Sequence, residues 1–280
     1  MTTPRKVVTW PLRGAGSESR TQVRLHRLPE YVTRTHPHST VSHRHTFDQV
    51  VYFATDARHM VDFEVYTCAP GSLGWIPAGA VHHFEPEATG AGWLLNVDAA
   101  MTAPDVALSA RRALSCGSRP FFTLTEPWKT RLPHLFELLH AEQATVDGVA
   151  EHLIRTLIAL ATRPLVGEQE RRTTSPIAAR FLDLIEVNFE APLPVSAYAR
   201  RLGVSPRVLH AVTQECFGRA PIQLANDRRT LEAKRLLRHS SLSVSEVGEV
   251  VGFEDPAHFS RFFTRRVGCS PRAFRDSGAT

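Results

Sequence analysis

The stretch GFEDPAHFSRFFTRRVGCSP, Gly252 to Pro271, places three phenylalanines within five residues and interleaves them with arginine and histidine. At a helical period Phe259, Phe262 and Phe263 fall on one face, while His258, Arg261 and Arg265 fall on the other. One face is apolar and the other cationic. Asp255 is suited to cap the first turn, and Pro256 to the first helical position, where its missing N–H has no intrahelical partner to lose. Gly268 closes the segment as a left-handed cap. The spacing therefore predicts a short basic helix anchored by aromatic side chains.

Immediately upstream, SVSEVGEVVG (Ser243 to Gly252) combines a capping-box pair, Ser243 and Glu246, with an apolar stripe of Val244, Val247, Val250 and Val251. A second short helix ending at Gly252 gives the pair the proportions of a helix-turn-helix. The plan recurs. ARRLGVSPRVLHAVTQECFG, Ala199 to Gly218, overlays Gly248 to Gly268 with Glu254 as a single insertion. Gly203 then matches Gly252, Val204 matches Phe253, Pro206 matches Pro256, Leu209 matches Phe259, Val212 matches Phe262 and Gly218 matches Gly268. Between the copies, PIQLANDRRTLEAKRLLRH (Pro221 to His239) carries Ile222, Ala225, Ala233, Leu236 and Leu237 at the spacing of a buried stripe. Lys234, Arg235, Arg238 and His239 crowd its C-terminal end, where cations favour the helix dipole.

From about Ile177 to Asp276 the sequence resembles the DNA-binding domain of AraC/XylS-type transcriptional regulators, most specifically over VGEVVGFEDPAHFSRFFTRRVGCSPRAFR. It departs from that pattern at Gly248, where the family commonly has alanine, and at Val212, where it often has phenylalanine. The first unit also opens at Pro194 instead of a Ser or Thr cap. The resemblance implies double-stranded promoter DNA as partner, with the second helix of each unit in the major groove. The candidate DNA-binding residues are Ser205, Arg207, His210 and Gln214 in the first unit, and Asp255, His258, Arg261 and Arg265 in the second.

The 280 residues are enough for two domains with separate cores. Net charge is +5, and its excess lies in the C-terminal part: 15 Lys and Arg face 11 Asp and Glu after Thr173, against 18 and 17 before it. That distribution suits a phosphate-bearing partner. The sequence shows neither the apolar run of a signal peptide nor a membrane-spanning stretch, so a cytoplasmic protein with no membrane partner is expected. Cys68, Cys116, Cys216 and Cys269 are scattered and are expected to be reduced thiols.

Thr35 to about Asn96 reads as short strands broken by turns: QVVYFA, HMVDFEVYTC, and GSLGWIPAGAVHHF with its glycines and proline. Gly71 to His82 matches G(X)5PXG(X)2H in full, and this part resembles a cupin barrel. HRHTFDQ supplies His43 and His45, with Gln49 where the cupin pattern has a carboxylate and Asp56 where it has glycine. The resemblance implies a pocket for a small organic effector lined by His43, His45, Gln49, Trp75 and His82, with Phe47, Tyr52 and Phe84 as further walls. No metal, cofactor or catalytic residue is assigned, because a neutral amide is a poorer ligand than a carboxylate. An aromatic acid or a sugar would suit such a pocket. Met1 to about Arg20 is an arm without periodicity.

Beyond the barrel, Leu132, Leu135, Leu138 and Leu139 line one expected helix, and Leu153, Ile154, Leu157, Leu160 and Ala161 another. By the resemblance these stripes are candidates for a homodimer interface. The expected fold class is α+β multidomain: a cupin-like effector and dimerisation domain over 1–162, a linker over 163–176, and an all-α domain with two helix-turn-helix motifs over 177–280. A ligand-responsive DNA-binding regulator, not an enzyme, is the expected function. The rival readings are a metal-dependent cupin enzyme or metal sensor with an accessory helical domain, and a constitutive DNA-binding factor whose barrel only dimerises.

Overall fold

The computed structural model describes residues 9–10, 23–35, 37–115, 117–141, 148–172 and 175–277. They divide into two compact units, one reaching to Glu168 and the other running from Gln169, so the chain is α+β with two domains. Most of the expected arm, and Cys116, lie outside the described residues.

The N-terminal unit contains strands β1 (Thr9–Trp10), β2 (Val23–Arg27), β3 (Arg44–His45), β4 (Asp48–Phe53), β5 (Ala57–Val61), β6 (Glu64–Cys68), β7 (Ser72–Ile76), β8 (His82–Phe84), β9 (Gly92–Val97) and β10 (Phe121–Thr123). A five-stranded antiparallel sheet has the order β10-β7-β4-β9-β2, and a three-stranded one the order β6-β5-β8. The short β1 pairs in parallel with β3, Trp10 opposite His45. Helices α1 (Leu28–Glu30), α2 (Pro104–Ser115), α3 (Trp128–Ala141) and α4 (Gly148–Arg172) complete the unit.

Alternation along β4 sorts the cores. Val50 and Tyr52 face a cluster that also holds Trp75, Leu95, Leu132, Phe136, Ile154, Leu157 and Ala161, so one sheet face is covered by α3 and α4. Val51 and Phe53 face the opposite way, into a core shared with Val61, Ile76, Phe84, Leu94 and Phe121 between the sheets. The leucine stripes proposed for dimerisation are therefore largely internal. Leu132, Leu139, Ile154, Leu157, Leu160 and Ala161 are buried within the chain's own core, and Leu138 alone of the α3 stripe is exposed.

Three expectations about local structure are corrected. HMVDFEVYTC is a hairpin, because Asp62 and Phe63 both take positive φ (49° and 76°) and turn the chain between β5 and β6 without the glycine that usually marks such a turn. β2 and α2 lie outside the expected elements. The expected linker is helical over most of its length, since α4 continues to Arg172; Glu, Gln and Arg are good helix formers, and a polar composition does not by itself end a helix.

The second unit is helical: α5 (Pro176–Asn188), α6 (Val195–Leu202), α7 (Pro206–Phe217), α8 (Pro221–His239), α9 (Val244–Val250), α10 (Pro256–Val267) and α11 (Pro271–Asp276). α9 opens with the anticipated capping box, Ser243 N–H donating to Glu246 at 2.6 Å and Glu246 N–H to Ser243 Oγ at 3.2 Å. The repeat is structural as well. Gly203 and Gly252 take φ of 72° and 80° after α6 and α9, and Gly218 and Gly268 take 64° and 87° after α7 and α10. In α8 the stripe is buried at Ala225, Ala233, Leu236 and Leu237, but Ile222 lies outside it and is exposed. Among the described residues, no helix is long and apolar enough to cross a membrane.

Candidate functional site

In the C-terminal unit α7 and α10 each pack one face inward and leave the other open. Phe259 and Phe263 are fully buried and Phe262 nearly so, while His258, Arg261 and Arg265 are exposed. In α7 the buried side is Leu209 and Thr213, and Arg207, His210 and Gln214 are exposed. All eight candidate DNA-binding residues thus lie at the surface, but they divide by task. Ser205 Oγ accepts the Val208 N–H at 3.2 Å, and the Asp255 carboxylate accepts the N–H groups of Ala257 and His258 at 2.9 and 3.0 Å. Both are helix caps, and Asp255 also lies 3.7 Å from Arg261. That leaves six side chains for contacts outward.

Gly248 has a local reason. A Cβ there would sit 3.1 Å from the Phe259 ring, tighter than ordinary van der Waals contact, so the departure from alanine accompanies a fully buried Phe259. Lys234, Arg235 and Arg238 of α8 serve structure. Arg238 lies 4.5 Å over the Phe274 ring, Lys234 lies 5.7 Å from it, and Arg235 bonds Glu232. Sequence reading missed Arg229, whose guanidinium donates to the carbonyls of Val251 at 2.8 Å and Gly252 at 3.1 Å and lies 4.0 Å over the Phe253 ring. Burial lowers its pKa to about 10, which leaves it charged at neutral pH. Asp227 of the same helix binds both Arg219, at the end of the first unit, and Arg266 of α10.

In the N-terminal unit a second site forms between the sheets. His43 and His82 face each other across an antiparallel bridge, with N–H to carbonyl distances of 3.0 and 2.9 Å in the two directions. The Pro77–Gly79 turn, where Gly79 takes φ of 83° and donates its N–H to the His45 carbonyl at 2.8 Å, brings the His82 strand back beside β3. Asp48 accepts the Ala78 N–H at 2.8 Å and holds that turn together with Arg111. His43, His45 and His82 are all buried, and one ring nitrogen from each lies within 4.8 Å of the others. Gln49 Nε2 stands 3.1 Å from His45 Nε2 and donates to Asn96 Oδ1 at 2.9 Å. Three imidazoles so placed fit a transition metal.

The structure brings together four of the five expected pocket residues. Trp75 is the exception. It pairs with Val50, so its side chain lies on the helix-covered face of β7, opposite to Gln49 and the histidines. Tyr52 lies on that far face too, whereas Phe47 stacks on His45 with ring centroids 4.2 Å apart and Phe84 belongs to the inter-sheet core. Sequence reading also missed His59. This fully buried residue of β5 has its ring 5.6 Å from that of His82, and neither of its ring nitrogens has a hydrogen-bond partner. The available signal was alternation, which places His59 on the same side as Ala57 and Val61. Burial, and then the neighbouring imidazoles, hold both His59 and His82 well below the usual histidine range, so both are neutral at pH 7. Burial likewise raises the Cys68 thiol to about 12, which makes it an unreactive core residue.

A surface of two matched, capped helices with open polar faces defines a helix-turn-helix protein. Residues 198–277 match the helix-turn-helix domain family. The transcriptional regulator GlxA of Rhizobium meliloti is 33% identical over 129 residues, covering 45% of this chain and 40% of GlxA. The transcriptional activator RhaS of Salmonella heidelberg is 36% identical over 151 residues, 51% of this chain and 54% of RhaS. This chain thus spans only about half or less of the curated relatives it matches. Among solved structures, the DNA-binding domain of AdpA in complex with a target DNA is 31% identical over 37% of this chain and 92% of that one, with a TM-score of 0.35. The C-terminal unit is an AraC-type helix-turn-helix domain.

Proposed function

We propose that the protein is a transcriptional regulator whose C-terminal unit binds promoter DNA through α7 and α10 and whose N-terminal unit binds a small ligand that controls it. The carrying observation is the outward face of the two capped helices, where Arg207, His210, Gln214, His258, Arg261 and Arg265 stand exposed above buried anchors. Arginine suits bidentate contact with guanine, and glutamine with adenine. The matched relatives are named as transcriptional regulators, which supports this reading over an enzymatic one. A cytoplasmic location is part of the same proposal. Homodimerisation remains part of the proposal, with Leu138 of α3 and Val149 of α4, both exposed, as the apolar residues to carry it. The domain boundaries proposed are 1–162 and 177–280, joined by the end of α4.

The test is operator binding, with binding sites first selected from genomic fragments. Arg261→Ala and Arg265→Ala should each weaken binding by about 1–3 kcal/mol where the side chain reads a base, with relaxed preference at one position. A phosphate contact would instead lower affinity evenly across sequences and flatten the salt dependence. Circular dichroism should show both variants folded, because neither side chain is buried. Unchanged affinity in the double variant would refute the groove assignment of α10.

A further inference from the structure

We propose that Asp227 fixes the separation of the two groove-reading helices, so that its carboxylate determines which spacing of the two contacted DNA segments the protein accepts. The inference deepens the reading above and rests on it, because only a protein that sets α7 and α10 in two grooves of one duplex has a spacing to select. Asp227 is then a positioning residue, which acts on the DNA through the helices it holds.

The core of each unit settles that unit's own fold: Leu209 and Thr213 anchor α7, and Phe259 and Phe263 anchor α10. The angle between the units depends on what links them. α8 lies between them in the chain and packs against both α7 and α9. Its side chains grip α10 at opposite ends. Arg229 donates to the Val251 and Gly252 carbonyls at 2.8 and 3.1 Å, just before α10 begins. In the last turn of α10, Arg266 donates through Nε to Thr230 Oγ1 at 3.0 Å and through Nη2 to Asp227 Oδ1. The other oxygen of Asp227 accepts from Arg219, which follows Gly218, the cap of α7. One carboxylate thus ties the end of α7 to the end of α10.

The two attachments have different effects. At the near one the turn already meets the first unit, since Glu190 and Pro192 stand too close to Gly252 for a Cβ to fit. A helix held only there can pivot about its start, whereas one held at both ends cannot. α10 has 12 residues, which makes it about 18 Å long. A tilt of about 10° therefore moves its far end by about 3 Å, close to the ~3.4 Å of one base-pair step. The far attachment is the one that holds the spacing. Its two arginines repel each other, and the anion between them is what joins them. Asp227 is half-buried, where a charge pair is screened less than at an open surface. Without that charge Arg219 and Arg266 are free to turn to phosphates instead.

The experiment uses the full chain and duplexes built on a selected operator, with one base pair inserted or removed between the two contacted segments, titrated at fixed salt. One base pair displaces the second segment by ~3.4 Å and turns it by ~35°. The wild-type protein should lose at least about tenfold in affinity for either altered duplex, the size of losing base contacts in one groove. Asp227→Asn keeps the side-chain volume without the charge, and should compress that penalty to less than about threefold, because a pivoting α10 follows the displaced groove. Asp227→Glu, which restores the charge, should keep the narrow preference. The readout is a ratio of affinities within one preparation, so a reduced folded fraction cancels, and a merely structural role would lower all affinities together. An unchanged ratio in Asp227→Asn, or a Glu variant as permissive as the Asn variant, would overturn the proposal. If Asp227→Asn does not fold, Arg219→Gln, which cuts the tie to the first unit, decides by the same ratio, and an unchanged ratio overturns it. A wild-type chain that binds through Arg261 and Arg265 yet tolerates every spacing defeats this inference alone, whereas binding indifferent to Arg261 and Arg265 defeats the reading beneath it.

Discussion

Phe259→Ala is expected to unfold the second helix-turn-helix unit, with a loss of about 3–5 kcal/mol, the usual range for removing a fully buried phenylalanine. Phe259 has no exposed surface, and its ring centroid stands 5.5 Å from that of Phe253 and 5.9 Å from that of Phe263. Phe263 continues the chain of rings to Phe274 at 5.5 Å, so the aromatic set joins α10 to α11 as well as to the turn before it. The neighbouring Gly248 deepens the effect, since the position of α9 that faces the Phe259 ring carries no side chain to move into the hole. Chemical denaturation followed by circular dichroism measures the loss. A Phe259→Ala protein that melts with the parent would show that the aromatic face is not what holds α10 in place.

The helix-turn-helix pair was legible because its signals are local. Asp255 with Pro256, Ser243 with Glu246, and the paired glycines at 203 and 252 and at 218 and 268 each act within a few residues, and the internal repeat doubles the evidence. The N-terminal unit was legible in part. The motif from Gly71 to His82 located His82, and HRH located His43 and His45, but which side chains share an interior depends on strand pairing. Trp75 is one residue from Ile76, and that single step moves it through the sheet to the helix-covered face. His59 lies in no recognisable spacing with the other histidines. It reaches them because β5 pairs with β8, setting Val61 opposite His82, and nothing within the segment ARHMV specifies that partner. The leucine stripes of α3 and α4 have the period of any amphipathic helix, and whether such a face meets its own sheet or a second chain is a tertiary matter.

Arg229→Met is the other substitution with a large expected effect, and it separates support from contact. Methionine approximates the aliphatic stem and can still pack near Phe253, but it donates nothing to the Val251 and Gly252 carbonyls. Val251 is itself fully buried, so its carbonyl would lose its side-chain donor in a place that water reaches poorly. Loss of the donor from the buried Val251 carbonyl costs about 1–3 kcal/mol, and the half-buried Gly252 carbonyl adds less, because water can reach it. The turn so supported is the one between α9 and α10, where Gly252 holds φ of 80° and has Pro192 and Glu190 close enough to exclude a Cβ. Arg229→Met should therefore lower stability and operator affinity together, although Arg229 is buried and lies off the outward face of α10. Arg261→Ala should lower affinity alone. Measured side by side, denaturation midpoints and operator titrations distinguish the two classes. An Arg229→Met protein of parental stability with impaired DNA binding would mean that Arg229 contacts DNA and that its place beneath the turn is not what it contributes.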